Sequence, residues 1–309
     1  MLNKIELKDI KKIYQENFTV ISNDFLKAQS KYLSDLYKRH NNDLESAYIV
    51  LFYVKSLHGQ ILRKRDFDMN HDISLDNFWN NHESIKQKFY KIADVCKTTG
   101  LPKETVRRKI QELLKSKILK RFDDRVCWMP ENFKKEIYNK TLQESIETVS
   151  YLTNNVTKFL DIKPNLDFKK IILKNFSFFS YHWNSTKIKY MKTWHDKFND
   201  LEMLLIFIEY SIITNQNNFE TSGKIKRNKS SEISTSTISK ITGIPRATCM
   251  RKLEKLKKMK LISKSNVSRK FLSNLETVNT NVSIPKEMSL KILDVYSEFS
   301  YTVIRNIYR

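Results

Sequence analysis

The stretch TTGLPKETVRRKIQELLKSKIL, residues 98–119, recurs as ITGIPRATCMRKLEKLKKMKLI at residues 241–262. At an offset of 143 positions, nine of the twenty-one residues from Thr99 onward are identical, and several others exchange Leu for Ile or Lys for Arg. Each copy places a Gly before a Pro, followed by a segment that is apolar on one side and basic on the other. Gly is typical of a helix end and Pro of a first helical position, so the pattern predicts the turn and second helix of a helix-turn-helix.

The flanking sequence extends the prediction to a larger unit around each copy. In the first, we expect a helix-turn-helix at about 90–117, two short strands forming a β-wing at 118–129, and a long helix at 130–161. In the second, we expect the helix-turn-helix at about 234–260, a longer wing at 263–284 and a final helix at 285–307.

Glycine and proline are scarce, and they fall at matching places. The chain has 4 Gly and 5 Pro. The matching pairs are Gly100 with Gly243, Pro102 with Pro245, and Pro130 with Pro285. Gly and Pro mark turns and helix ends, so their matching positions predict an internal duplication. The sequence Asn-Asp-Leu-Glu, which occurs at 42–45 and again at 199–202, supports the same prediction. The expected fold is mainly α with small β-wings, in two tandem winged-helix domains at residues 1–161 and 162–309.

The composition favours a polyanionic partner. The formal net charge is +22 and the sequence pI is about 9.7, values that suit nucleic acid or an anionic membrane surface. An AT-rich genome would also raise the Lys content, but the clustering of basic residues on the repeated helices favours binding. The longest apolar runs, 47–54 and 203–208, are far shorter than the roughly 20 residues that span a bilayer. We therefore expect no membrane partner and a cytoplasmic, nucleoid-associated location.

No residue pattern predicts catalysis. The three cysteines are scattered, and the six His have no metal-ligand spacing. The acidic segment 66–72 resembles the start of a calcium loop, but His71 occupies the position where the sharp turn needs Gly. The chain has no phosphate-binding Gly loop and no nucleophile elbow. We expect no catalytic residue, no metal site and no cofactor.

The repeated helices carry the candidate binding residues. Helical spacing turns Val106, Ile110, Leu113 and Leu114 inward in the first copy, and Cys249, Leu253 and Leu256 inward in the second. Side chains that remain outside, near a helix N-terminus, suit base edges in a DNA major groove. The predicted DNA-contacting residues are Lys103, Glu104, Thr105, Arg107 and Arg108 in the first copy, and Arg246, Thr248, Met250, Arg251 and Lys252 in the second. Lysines further along, at 109, 115, 252, 255 and 258, are expected to contact phosphates.

The segment GLPKETVRRKIQELLKSKIL, residues 100–119, resembles the reading helix and wing entry of bacterial winged helix-turn-helix regulators of the catabolite-activator and multiple-antibiotic-resistance families. The likeness covers about 40 residues in each half. It implies base contacts by Lys103, Glu104 and Arg108. In the second copy the same roles fall on Arg246, Ala247 and Arg251, where the acidic residue is missing.

The leading hypothesis is a sequence-specific transcription regulator that reads an asymmetric double-stranded DNA site with two non-identical winged helices. The alternatives are a plasmid-type replication initiator with tandem winged helices, an architectural DNA binder without sequence preference, a protein–protein module, and an enzyme such as a nuclease. A homodimer through the C-terminal helices is also compatible with the sequence.

Overall fold

A computed structural model of the chain describes residues 5–123, 125–128, 135–160, 167–219, 233–264, 271–273 and 286–307. These residues form a mainly helical protein with two small antiparallel sheets of two strands each. None of the described helices is long and apolar enough to cross a membrane.

The helices and strands follow one another along the chain in a single order. They are α1 (Leu7–Glu16), α2 (Phe18–Arg39), α3 (Leu44–Phe67), α4 (Leu75–Asn81), a short 3-10 turn (His82–Ser84), α5 (Ile92–Thr99), α6 (Lys103–Lys115), β1 (Leu119–Phe122), β2 (Arg125–Trp128), α7 (Lys135–Phe159), α8 (Phe168–Lys174), α9 (Phe176–Phe198), α10 (Leu201–Phe219), α11 (Thr235–Thr242), α12 (Arg246–Lys258), β3 (Ile262–Lys264), β4 (Phe271–Ser273) and α13 (Lys286–Ile307).

The chain divides into two compact units, and each unit takes residues from both halves of the sequence. Unit 1 contains residues 1–13, 45–192 and 294–309, and unit 2 contains residues 14–44 and 193–293. Helix α2 from the first half therefore belongs with α10–α12, whereas most of α9 from the second half belongs with α3–α7. The sequence repeats predict a boundary between two duplicated domains at residue 161, and this boundary stays a prediction. The compact units are divided differently.

Unit 1 is built around the buried helix α3. The apolar run 47–54, which the sequence predicts to be buried, has side chains at most 7% exposed. Helix α9 lies alongside α3, and the Tyr48 hydroxyl donates a hydrogen bond to the Ile188 carbonyl at 3.0 Å. Gly59 permits this approach, because a Cβ there would lie 3.1 Å from the Tyr181 ring. On another side of α9, the Trp183 ring packs 4.9 Å from Phe299 of α13.

Unit 2 is built in the same way around α10, whose apolar residues 203–208 are at most 1% exposed. Helix α2 packs on α10, and α11 and α12 pack on its other sides. The Ser30 hydroxyl of α2 donates a hydrogen bond to the buried Glu209 carboxylate of α10. Burial raises the pKa of Glu209, and the hydrogen bond from Ser30 partly offsets this rise.

Within the described residues, helices and short strands lie where the sequence predicts them around both repeated stretches. The strands β1 and β2 pair from Leu119–Trp128 to Phe122–Arg125, as expected for the first wing. In the second wing, β3 pairs with β4, with Ile262 opposite Ser273. Pro130, Pro285 and residues 265–270 and 274–284 of the predicted second wing lie outside the described residues. Helices α7 and α13 are described from Lys135 and Lys286 onward.

Candidate nucleic-acid interface

Helix α6 is placed by a tight turn that begins at Gly100. Gly100 ends α5 in the left-handed conformation, with φ 76°, which L-residues other than Asn or Asp rarely adopt. The buried Thr99 hydroxyl donates to the Val95 carbonyl at 2.7 Å and accepts the Leu101 backbone N–H at 3.2 Å. Pro102 then precedes the first helical residue. The short side chains around Gly100 thus fix the direction in which α6 leaves the turn.

Helix α12 repeats this arrangement at an offset of 143 residues. Gly243 also has φ 76°, and the Thr242 hydroxyl donates to the Ile238 carbonyl at 2.8 Å and accepts the Ile244 N–H at 3.2 Å. Helices α6 and α12 each have 13 residues. Each ends before a lysine with positive φ, Lys117 at 58° and Lys260 at 59°. The two segments are therefore matched in length, turn geometry and termination.

Both helices bury the face that the sequence predicts. In α6, Val106, Ile110 and Leu113 are at most 5% exposed, whereas Leu114 is only half-buried. In α12, Cys249, Leu253 and Leu256 are at most 1% exposed, and burial raises the pKa of the Cys249 thiol. The opposite face of each helix is left to solvent and is available to a ligand.

The exposed face of α6 alternates cations and anions. Arg107 forms an ion pair with Glu104 at 3.1 Å, and Arg108 forms one with Glu112 at 3.0 Å. Lys103 is exposed and Thr105 is half-buried. Such exposed pairs within one helix contribute only about 0.2–0.5 kcal/mol each, so an arriving phosphate or base edge can displace them at small cost.

The exposed face of α12 is more uniformly basic. Arg246 and Arg251 are exposed, and Thr248 and Met250 are half-buried. The Thr235 hydroxyl of α11 lies 3.7 Å from the Met250 sulfur, which holds the thioether against the preceding helix. Met250 therefore presents an apolar side chain at the position where α6 presents Arg107.

Lys252, one of the predicted DNA contacts, does not lie on the exposed face of α12; its contact with DNA stays a prediction. Its side chain is 9% exposed, and its ammonium pairs with the carboxylates of Asp200 and, at 3.1 Å, Glu202. The matching Lys109 of α6 has an 11% exposed side chain and pairs with Glu112 at 3.3 Å. The reason is helical spacing, because both lysines follow a buried residue by three positions and so turn toward the protein. The ammonium groups of both lysines are therefore engaged by carboxylates of the protein.

Of the other predicted phosphate contacts, Lys115 and Lys258 are exposed on the outer side of their helices. Lys255 is exposed as well, but its ammonium donates to the Phe198 carbonyl at 3.1 Å. This bond and the Lys252 ion pairs tie α12 to the junction of α9 and α10. Asp200 also accepts the Met203 backbone N–H at 3.0 Å, so it caps α10 as well as holding α12.

Two residues that support the interface are missed by the sequence patterns. The Gln87 side chain donates to the Trp128 carbonyl at 2.7 Å and accepts the Trp128 N–H at 3.2 Å, so it pairs with β2 as a strand would. Ile233 forms an antiparallel bridge with Phe271 of β4. The only sequence feature that points to the Ile233–Phe271 bridge is a single Ile before Ser234. Nothing in the sequence around Gln87 indicates that its side chain would pair with a backbone.

The acidic segment 66–72 serves as a local cap. Asp72 accepts the Ser74 backbone N–H at 2.8 Å and the Ser74 hydroxyl at 2.9 Å, and Ser74 caps α4. Among the described residues, no group of three or more His, Cys, Asp or Glu side chains is arranged to hold a metal ion.

Comparison with known proteins adds no relative: no family model, no curated protein and no solved structure matches this chain.

Proposed function

We propose that the protein is a sequence-specific double-stranded DNA-binding protein, and that it acts as a transcription regulator. In this proposal α5–β2 and α11–β4 are two winged helix-turn-helix modules that arose by internal duplication. Their shared helix lengths, equal turn dihedrals and matching Thr hydrogen bonds support a common origin.

The observation that carries the proposal is a pair of matched helices with different exposed faces. One helix fits a major groove, where Arg and Lys bind guanine and Glu accepts from cytosine. Helix α6 offers Lys103, Glu104, Thr105, Arg107 and Arg108, and all but the half-buried Thr105 are exposed.

Helix α12 offers a different set at the matching positions. These are Arg246, Thr248, Met250 and Arg251, with Ala247 in place of the acidic residue. Met250 would contact a thymine methyl group more readily than a polar base edge. Two unlike readers on one chain predict a DNA site without two-fold symmetry.

The net charge of +22 supports a polyanionic partner and a nucleoid-associated, cytoplasmic protein. We propose a binding role rather than catalysis. A homodimer through the C-terminal helices would have to use surface other than the apolar face of α13, because Met288, Ile292, Phe299 and Val303 are at most 5% exposed within the chain.

The experiment that tests the function is selection of bound duplexes from a random pool, followed by footprinting of the intact chain on the selected duplex. We expect a recovered asymmetric sequence and protection of two major-groove segments. Recovery of no preferred sequence, with equal affinity for random duplex, would favour an architectural binder. Absence of any duplex binding at low salt would refute the proposal.

A further inference from the structure

The two reading helices differ in charge at positions that are otherwise matched. Glu104, Arg107 and Glu112 of α6 correspond to Ala247, Met250 and Lys255 of α12, whereas Arg108 and Arg251 are the same residue. Helix α6 has five basic and two acidic residues, a net charge of +3, and α12 has six basic and one acidic residue, a net charge of +5.

On α6, each exposed arginine already has a carboxylate beside it. Arg108 is 3.0 Å from Glu112, and Arg107 is 3.1 Å from Glu104. All four side chains are about half exposed or more, at 49–75%. A phosphate that approaches Arg108 therefore meets a positive charge that Glu112 largely compensates.

On α12, the equivalent of Arg108 is Arg251, and no carboxylate among the described residues pairs with it, although Glu254 lies three positions later on the helix. Arg251 is exposed and makes no ion pair within the described part of the chain. The residue four positions later is Lys255, whose ammonium is directed to the Phe198 carbonyl. Lys257 and Lys258 add further exposed cations at the end of the same helix.

This difference has separate effects on affinity and on specificity. An uncompensated cation that neutralises a phosphate releases condensed counterions and strengthens binding to any sequence. A carboxylate on a DNA-facing helix is repelled by phosphates unless a base amino group donates to it, so it penalises non-cognate duplexes. At the paired positions 104/247 and 112/255 the carboxylate is on α6, whereas the acidic residue of α12, Glu254, is half-buried and corresponds to Gln111.

We infer that the two readers divide their work: α12 is the salt-dependent phosphate anchor, with Arg251 as its central contact, and α6 is the helix that discriminates sequence. This division rests on the proposed DNA-binding function and assigns a distinct role to each helix. The ion pairs Glu104–Arg107 and Arg108–Glu112 are the features that make α6 selective.

The test measures duplex affinity by fluorescence anisotropy at several salt concentrations, for the selected duplex and for a random one. The matched variants are R251Q and R108Q, with K64Q on the exposed end of α3 as a control. We expect R251Q to reduce the slope of log K against log salt by about 0.9, the contribution of one phosphate. Between about 50 and 200 mM salt, the loss of affinity should then be about 3.5 times smaller than for the wild type.

R108Q should change the slope by less than half as much, while lowering the preference for the selected duplex over the random one by about tenfold or more. K64Q should change neither quantity. Circular dichroism of each variant establishes that the fold is retained. Equal slope changes in R108Q and R251Q, or a loss of discrimination confined to R251Q, would overturn the division while leaving DNA binding intact.

E112Q supplies an independent measurement on α6. Glu112 pairs with the exposed Arg108 and with the largely buried Lys109. Removal of its carboxylate leaves Arg108 free to bind a phosphate, so the slope of log K against log salt should increase by up to the contribution of one phosphate, and the affinity for random duplex should rise. An unchanged slope would overturn the inference. Failure of the wild type to bind any duplex would instead refute the proposed function itself.

Discussion

We predict that the buried His58 makes unit 1 less stable in mild acid. Its side chain is 0% exposed, its ring stacks 4.9 Å from Phe78, and Phe176 approaches edge-on at 5.1 Å. The Nδ1 atom is 3.3 Å from the Ser177 hydroxyl oxygen, and Nε2 has no hydrogen-bond partner among the described atoms. Burial in this apolar setting lowers the pKa of His58 to about 3.

The magnitude follows from linkage between protonation and folding. The unfolded chain binds a proton near pH 6.5, whereas the folded protein does not bind it until about pH 3. Because the pKa is lower in the folded state, stability is fully present above pH 6.5 and is lost as the pH falls toward 3. Each unit of pH in this window costs about 1.36 kcal/mol, so at pH 5 we expect a loss of about 2 kcal/mol.

The measurement compares urea unfolding of the wild type and of H58Q at several pH values between about 7.5 and 5. Hydrogen exchange in peptides from α3, α4 and α9 assigns the change to unit 1. The wild type should lose about 2 kcal/mol more than H58Q over this range. If H58Q retained the full pH dependence, a buried neutral His58 would not be its source.

Three further substitutions or treatments test other features of the fold. K252M should lower the free energy of unfolding, measured in urea, by about 2–3 kcal/mol. This is somewhat less than for a fully buried pair, because Asp200 and Glu202 are partly exposed. K257M, at an exposed lysine of the same helix, is the control, and a loss below about 0.5 kcal/mol for K252M would contradict the role of the ion pairs. G243A should lower the free energy of unfolding by about 1–2 kcal/mol in the same assay, because alanine is strained at the left-handed φ of this position. An added Cβ would meet no atom within 4 Å, so a steric clash would not contribute. An unchanged free energy of unfolding would show that the turn changes its conformation to accept alanine. Burial raises the pKa of all three thiols, so exposure decides their order of reaction. In thiol labelling followed by mass spectrometry, the half-buried Cys96 should react before the buried Cys127 and Cys249. Early labelling of Cys249 would mean that α12 separates easily from its neighbours.

Local signals in the sequence predicted the elements of the candidate interface well. Gly100 and Gly243 have the left-handed backbone conformation that favours glycine, and Pro102 and Pro245 directly precede the next helix. Each turn is therefore determined by residues within the turn, which a sequence pattern can detect. The core position of Cys249 followed from apolar spacing in the same way, and its complete burial confirms it.

Lys252 could have been placed correctly with a stricter use of the same spacing. It lies three positions after Cys249 and directly before Leu253, on the side of α12 that is buried. Its partners were beyond reach of any local pattern, because Asp200 and Glu202 lie about 50 positions earlier in the chain.

Sequence periodicity also could not predict that α2 packs on α10 and α9 on α3. An amphipathic stripe indicates that a helix buries one face but not which helix covers it. Helices α2 and α9 occupy similar places in the two predicted repeats, so either could have packed in either half. The hydrogen bonds Ser30–Glu209 and Tyr48–Ile188 belong to the pairing that the structure adopts.

Each compact unit combines residues from distant parts of the chain, which affects folding during synthesis on the ribosome. Unit 1 includes residues 294–309, so it is completed only after these residues have emerged. Helix α3 is made early, yet it must wait for α9, more than 100 residues later, before its apolar surface is covered. Such long-range closure slows folding and leaves apolar surface exposed in nascent intermediates. A truncated product that ends near residue 161 would carry that exposed surface permanently and should be held by chaperones or degraded.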